Sequence, residues 1–156
     1  MGINALRLKI LILFFNTLLL FSCRKYEYSK CVNFQTACWT KKQHCVFDDI
    51  QIPQDKIYSI KIILHYNDKF PFQNIYLKTD IEDNKKQLIF SETQNHFLFD
   101  PITGYPINDN NILLNHKTCF MISRQLLIKG FYKVTISQFN RLESLSGIQQ
   151  IQLVIE

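Results

Sequence analysis

From Trp39 onward the chain is dominated by short stretches in which apolar and polar residues alternate with a period of two. Tyr58, Ile60, Ile62, Leu64 and Tyr66 share one apolar face, opposite Ser59, Lys61 and His65. The same rhythm returns in Ile75, Leu77, Thr79 and Ile81, in Tyr132, Val134 and Ile136, and in Ile151, Leu153 and Ile155. Extended backbone points successive side chains to opposite faces, so each stretch predicts a half-buried strand. Turn-forming residues separate them at Pro53-Gln54-Asp55, Asn67-Asp68-Lys69, Asp83-Asn84-Lys85 and Lys129-Gly130. After Cys23 no apolar stretch keeps a 3.6-residue period over three turns, so long helices are not expected. Seven or eight strands at this spacing predict an all-β fold, an antiparallel β-sandwich with one core. That domain is expected over residues 39–156. Residues 23–38 are expected as a tether, because Arg24 to Lys30 shows neither a helical nor a strand period.

The first 22 residues follow a different rule. Arg7 and Lys9 make a basic leader, Ile10 to Phe21 an apolar stretch, and Ser22 a small residue before Cys23. That order is the order of a secretory signal peptide. Leu20-Phe21-Ser22-Cys23 is similar to a bacterial lipobox, which implies cleavage before Cys23 and lipidation of its thiol. An uncut transmembrane anchor is the rival reading, with ordinary secretion beside it. Twelve apolar residues in a helix span roughly 18 Å, against a hydrocarbon core of about 30 Å. One acyl chain holds a protein to a bilayer only marginally, whereas two or three make the attachment stable.

The chain has 156 residues, enough for one domain with a single core once the leader is set aside. Removing Arg7 and Lys9 from its 18 basic residues leaves a small excess over the 13 acidic ones. That excess is scattered, and Lys41-Lys42 and Lys85-Lys86 read as solvated turns, so nucleic acid is not an expected partner. Cys31, Cys38, Cys45 and Cys119 form an even set in a chain addressed to an oxidising compartment, so one or two disulfides or free thiols are expected. Seven-residue steps between the first three lack the short loops of a zinc site, so no metal and no cofactor are expected.

Catalysis needs a nucleophile with a base in reach, paired carboxylates or a metal cluster. No local motif supplies one. His44, His65, His96 and His116 lie far apart, and Asp48-Asp49, Asp68, Asp80 and Glu82-Asp83 lack the loop spacing of a calcium site. A non-enzymatic protein is the expectation. Trp39, Tyr66, Phe70, Phe72, Tyr76 and Tyr105 flank turns and read mainly as core or sandwich-edge packing, but they keep open a sandwich that binds carbohydrate or peptide. The Asp100 to Asn115 segment is long and polar, the place where function or disorder is expected.

Three stretches, taken in order, carry a family resemblance. They are Trp39 followed by Val46; Lys69-Phe70-Pro71-Phe72-Gln73-Asn74-Ile75-Tyr76-Leu77 after Ile60 to Asn67; and Gly130-Phe131-Tyr132-Lys133-Val134 through Gln138, Arg141, Leu145, Gly147-Ile148 and Gln152 to Glu156. This series resembles the gliding motility lipoprotein GldH family of Bacteroidetes. The resemblance implies a lipoprotein component of the motility machinery, without a catalytic site, working beside other gliding or secretion-machinery envelope proteins. It also marks Phe70, Phe72, Gln138 and Arg141 as a candidate interaction surface. Basic Arg24-Lys25 after Cys23 lacks the acidic residues that in this phylum look like a surface-export tag, so the resemblance also favours an outer membrane with the domain facing the periplasm. Pro71 cannot donate to a ladder and suits a corner between strands, and Gly147 suits a tight turn before the last strand.

Overall fold

Alternation becomes burial in the computed structural model, which describes residues 26–107 and 115–156. Ten strands form among these residues: β1 (Tyr28–Asn33), β2 (Cys38–Thr40), β3 (Cys45–Ile52), β4 (Lys56–Asn67), β5 (Asn74–Asp83), β6 (Leu88–Phe97), β7 (Asn115–Leu127), β8 (Gly130–Gln138), β9 (Ser144–Ser146) and β10 (Ile148–Ile155). They build two four-stranded antiparallel sheets, ordered β1-β10-β4-β7 and β3-β8-β5-β6, and a two-stranded ribbon of β2 and β9. The fold is an all-β sandwich. No helix among the described residues is long and apolar enough to cross a membrane.

Each alternating stretch turns its apolar set inward. Tyr58, Ile60, Ile62, Leu64 and Tyr66 of β4 are buried, as are Ile151, Leu153 and Ile155 of β10. Ile75, Leu77 and Ile81 of β5, Val134 and Ile136 of β8, and Phe47, Ile50 and Ile52 of β3 join them from the other sheet in one cluster. Burying each such side chain contributes about 1.5–3 kcal/mol, which makes this cluster the main source of stability. Where the sandwich closes along one side, β6 and β7 meet through polar groups instead. Gln94 Nε2 donates to the Ile122 carbonyl at 2.9 Å, and the His96 ring stacks on Phe120 at 4.3 Å. Burial pushes the His96 pKa down.

One sequence expectation needs correction. The segment expected as a tether contains β1, which pairs with β10 over six residues from Tyr28↔Ile155 to Asn33↔Gln150. Tyr28 and Val32 pack against the core. An edge strand with only two inward contacts shows almost no alternation, so the pattern did not reveal it. In the long polar segment the Asp100 carboxylate accepts from the backbone N–H groups of Ile102 and Thr103 and from the Thr103 hydroxyl. These bonds hold its pKa below the usual carboxylate range. Residues 108–114 lie outside the described residues, and Asn115 already begins β7.

The corner after β4 is fixed by one glycine. Gly147 has φ +83°, and a Cβ there would lie 2.4 Å from the Phe70 backbone nitrogen and 2.9 Å from Asn67 Oδ1. Its carbonyl accepts from Asn67 N–H, its own N–H donates to the Ala37 carbonyl, and Ser146 Oγ donates to the Lys69 carbonyl. Around this contact Phe70 packs edge-on against Tyr66 and Phe72. Gly147→Ala combines a disfavoured φ with a clash against backbone, so it should destabilise the fold by about 3 kcal/mol. Thermal unfolding followed by circular dichroism should show a midpoint lowered by roughly 10 °C.

Candidate interaction groove

Strand β8 leaves the second sheet at Gln138, and two side-chain amides shape the turn beyond it. By the parity of Val134 and Ile136, Gln138 points inward, and it is buried. Its Nε2 donates to the Leu142 carbonyl at 3.3 Å, while its Oε1 accepts from Asn140 N–H at 3.0 Å. Asn140 Oδ1 in turn accepts from Tyr76 N–H at 3.0 Å, and Phe139 N–H donates to the Tyr76 carbonyl at 2.8 Å. The β5–β8 ladder is thereby carried past the end of the strand by a side chain. Phe139 must face outward, and it is 62% exposed.

Phe139 separates two recesses of about 540 Å³ each on the outer face of the second sheet. One is lined by Lys41, His44, Lys78, Asp80, Thr135 and Ser137. Here Lys78 and Asp80 pair at 3.3 Å, Ser91 Oγ donates to Asp80 at 2.6 Å, and Lys41 reaches Glu143 at 3.3 Å. His44 Nδ1 and Ser137 Oγ lie 2.7 Å apart. The other recess is lined by Phe72, Asn74, Tyr76 and Arg141. Together they make a groove with an exposed aromatic ridge, a cationic end and hydroxyl and amide groups along its floor. Such a mixture suits contact with a polypeptide or another polar polymer surface.

The four residues expected as an interaction surface divide into two kinds. Phe72 and Arg141 line one recess; Gln138 is buried and borders the other from within the fold, and Phe70 is buried outside both. Among the six aromatics that flank turns, Trp39, Tyr66 and Phe70 are buried, Phe72 is half-buried, and Tyr76 and Tyr105 are exposed. Trp39 stacks on Phe34 and donates from Nε1 to the Gln43 carbonyl. Acidic residues go to separate local partners: Asp68 to His116 at 2.6 Å, Glu82 to Lys133 at 3.2 Å, and Asp83 to the backbone of its own turn. His44, Lys78 and Ser137 escaped sequence reasoning because His44 and Ser137 meet across 93 positions. Phe139 did not need to escape it. Three inward residues at 132, 134 and 136 already assign position 139 to the outer face.

Cys23, the expected lipidation site, lies outside the described residues. Cys31, Cys38, Cys45 and Cys119 are free thiols. Cys31 and Cys119 sit in one cross-strand row, through Cys31↔Gln152, Gln152↔Ile63 and Ile63↔Cys119. Three strand spacings put them about 14 Å apart, twice the reach of a disulfide. Cys45 is buried in β3, and burial pushes its thiol up to about 12.

A family model described as GldH lipoprotein matches residues 26–155. None of the curated proteins matches the chain. Among solved structures, the pre-peptidase C-terminal domain of a collagenase from Bacillus anthracis is 7% identical with a TM-score of 0.36, over 84% of this chain and 90% of that one. A family 35 carbohydrate binding module from Clostridium thermocellum is 11% identical with a TM-score of 0.39, over 83% and 89%. The Eiger TNF of S. frugiperda is 10% identical with a TM-score of 0.33, over 81% and 83%. At these scores the likeness carries no argument about function.

The thiols provide a direct check on this geometry. With a thiolate-selective reagent at neutral pH, Cys31 and Cys119 should label in the folded protein, because both are exposed. Cys45 should label only after denaturation. A reducing agent should leave the thermal midpoint unchanged.

Proposed function

We propose, since this chain belongs to the GldH lipoprotein family, that it is a lipid-anchored, non-enzymatic interaction component of the bacterial gliding motility machinery. The match over residues 26–155 carries this reading. Lipid on Cys23 holds the chain to the membrane, and β1 begins only five residues later. The domain is therefore held close to the bilayer surface. We place it on the outer membrane, facing the periplasm, where other gliding or secretion-machinery envelope proteins are within reach.

In this reading the groove beside Phe139 is the partner surface. Its ridge offers an apolar anchor, and Arg141 beside it offers a fork of donors, the two side-chain types that dominate binding hot spots. The His44–Ser137 contact raises the question of nucleophilic chemistry. A Ser–His pair needs a third group to orient the imidazole, and the nearby Asp80 carboxylate is held by Lys78 and Ser91 instead. The pair serves as a surface hydrogen bond. Tyr76 and Phe139, flanked by Asn74 and Arg141, also suit a sugar, which keeps a carbohydrate- or peptide-binding lipoprotein as the second reading.

Deleting the gene should stop cell spreading and leave growth on polysaccharide unchanged, whereas the second reading requires the reverse. Phe139→Ala combined with Arg141→Glu should lower recovery of copurifying envelope proteins by about tenfold, equivalent to about 1.4 kcal/mol. Ser137→Ala should leave both spreading and recovery intact. Metabolic labelling with an alkyne palmitate should mark the wild-type band and not Cys23→Ala. Protease added to intact cells should leave the domain whole, and its digestion would refute the periplasmic placement.

A further inference from the structure

The sandwich has four edge strands, and three of them carry devices that discourage pairing with another chain. In β3 the register shifts between Phe47 and Ile50, where Asp49 takes φ +55° and Asp48 is exposed. Strand β1 is six residues long and carries the exposed Lys30. In β7 the register shifts opposite Ile60 and Lys61, Lys117 and Arg124 are exposed, and Gln94 occupies the Ile122 carbonyl. Bulges, cations and short length are the usual protections of an edge. Strand β6 has only one of them, a register shift at its hairpin end where Ile81 pairs with Phe90 and Glu82 with Leu88. Its register with β5 runs without a shift from Asn74↔Phe97 to Ile81↔Phe90, and Leu88–Phe97 holds no Lys, Arg, Pro or Gly.

The hydrogen-bond parity of β6 shows which of its groups are offered. Leu98 N–H donates to the Gln73 carbonyl at 2.8 Å, so residue 98 bonds toward β5. Alternation then turns the backbone groups of Gln94 and His96 toward β5, and those of Ser91, Thr93, Asn95 and Phe97 outward to an edge that no strand among the described residues occupies. We propose that this edge pairs with β6 of a second copy of the chain, antiparallel and two-fold symmetric about Thr93.

Self-complementarity selects both the occupant and the register. A two-fold axis must pass through one residue position, and only Glu92 and Thr93 lie at the middle of the strand. Centring on Glu92 would oppose two carboxylates across the axis, which is destabilising. Centring on Thr93 sets Thr93 against Thr93 of the partner subunit, Ser91 against Asn95 of the partner subunit, and Glu92 against Gln94 of the partner subunit. No like charges meet. Phe97, which is 45% exposed, is carried toward the partner's Ile89 end, where Ile89 is 38% exposed. The three outward pairs exchange roughly six backbone hydrogen bonds and join the two β3-β8-β5-β6 sheets into one. An isologous contact of this kind closes on itself, so it stops at the dimer.

The test uses the full lipidated chain in detergent micelles, with the protein mass read by sedimentation. The wild type should be a dimer. Thr93→Lys and Thr93→Glu place like charges across the axis, so each variant alone should be a monomer with an unchanged circular-dichroism spectrum. Mixing the two should restore a dimer that contains one of each. Gln51→Lys, on the β3 edge, should remain dimeric. A wild type that is monomeric at every concentration, a dimer that survives both charges, or a failure of the mixed variants to reassociate would overturn the proposal. So would capture of a different protein's strand by a monomeric wild type.

Discussion

The close approach of Gly147 to the Asn67–Phe72 corner is the contact on which the working surface depends. No side chain fits between Gly147 and the Phe70 nitrogen, so the corner after β4 and the β9–β10 junction are held at backbone contact. That contact sets Phe72 at the rim of one recess and brings β9 beside β2, with Trp39 opposite Leu145. The turn from Gln138 to Glu143 then spans a fixed gap between β8 and β9. A looser corner would leave Phe139 and Arg141 on a swinging loop rather than on a platform.

Polar groups divide their labour by depth. Buried amides such as Gln138 and Asn140 complete ladders that the strands themselves leave open, and Tyr66 reaches the Leu98 carbonyl and Thr118 across the end of the core. Each of these satisfies a group whose burial unpaired would cost about 1–3 kcal/mol. Exposed pairs such as Lys56–Glu27 and Lys41–Glu143 add little stability, since surface ion pairs contribute only about 0–1 kcal/mol. Their effect is on surface chemistry. Within the groove, Lys41–Glu143 and Lys78–Asp80 pair off charge and leave Arg141 and the Phe139 ring as its distinctive features.

Edges of the two sheets complete the division. Three are blunted by bulges, cations or brevity, while β6 keeps a regular backbone from Phe90 to Phe97 and neutral side chains around its single carboxylate. The groove lies on the outer face of the same sheet that β6 borders. A dimer through β6 would therefore display two grooves on one continuous sheet, doubling the contact a membrane-held partner could make.

Sequence alone determined the strands whose two faces differ. For β4, β5, β8 and β10 the core-facing residues follow from alternation, because burial on one side and water on the other impose a period of two. The Asn67–Phe72 corner and Gly147 were legible from Pro and Gly chemistry. Tertiary structure decided the rest. Strand β1 has too few inward contacts to show a period, and β6 and β7 face each other through Gln94, His96 and Phe120, so their inner faces are not apolar enough to read. Only the pairing order showed that Phe70 and Gln138 are interior while Phe72 and Arg141 share a recess. It also brought His44 to Ser137 and put two strands between Cys31 and Cys119. Local pattern records whether a side chain meets water or core, but not which distant strand lies beside it, and a binding surface is made of the second kind of fact.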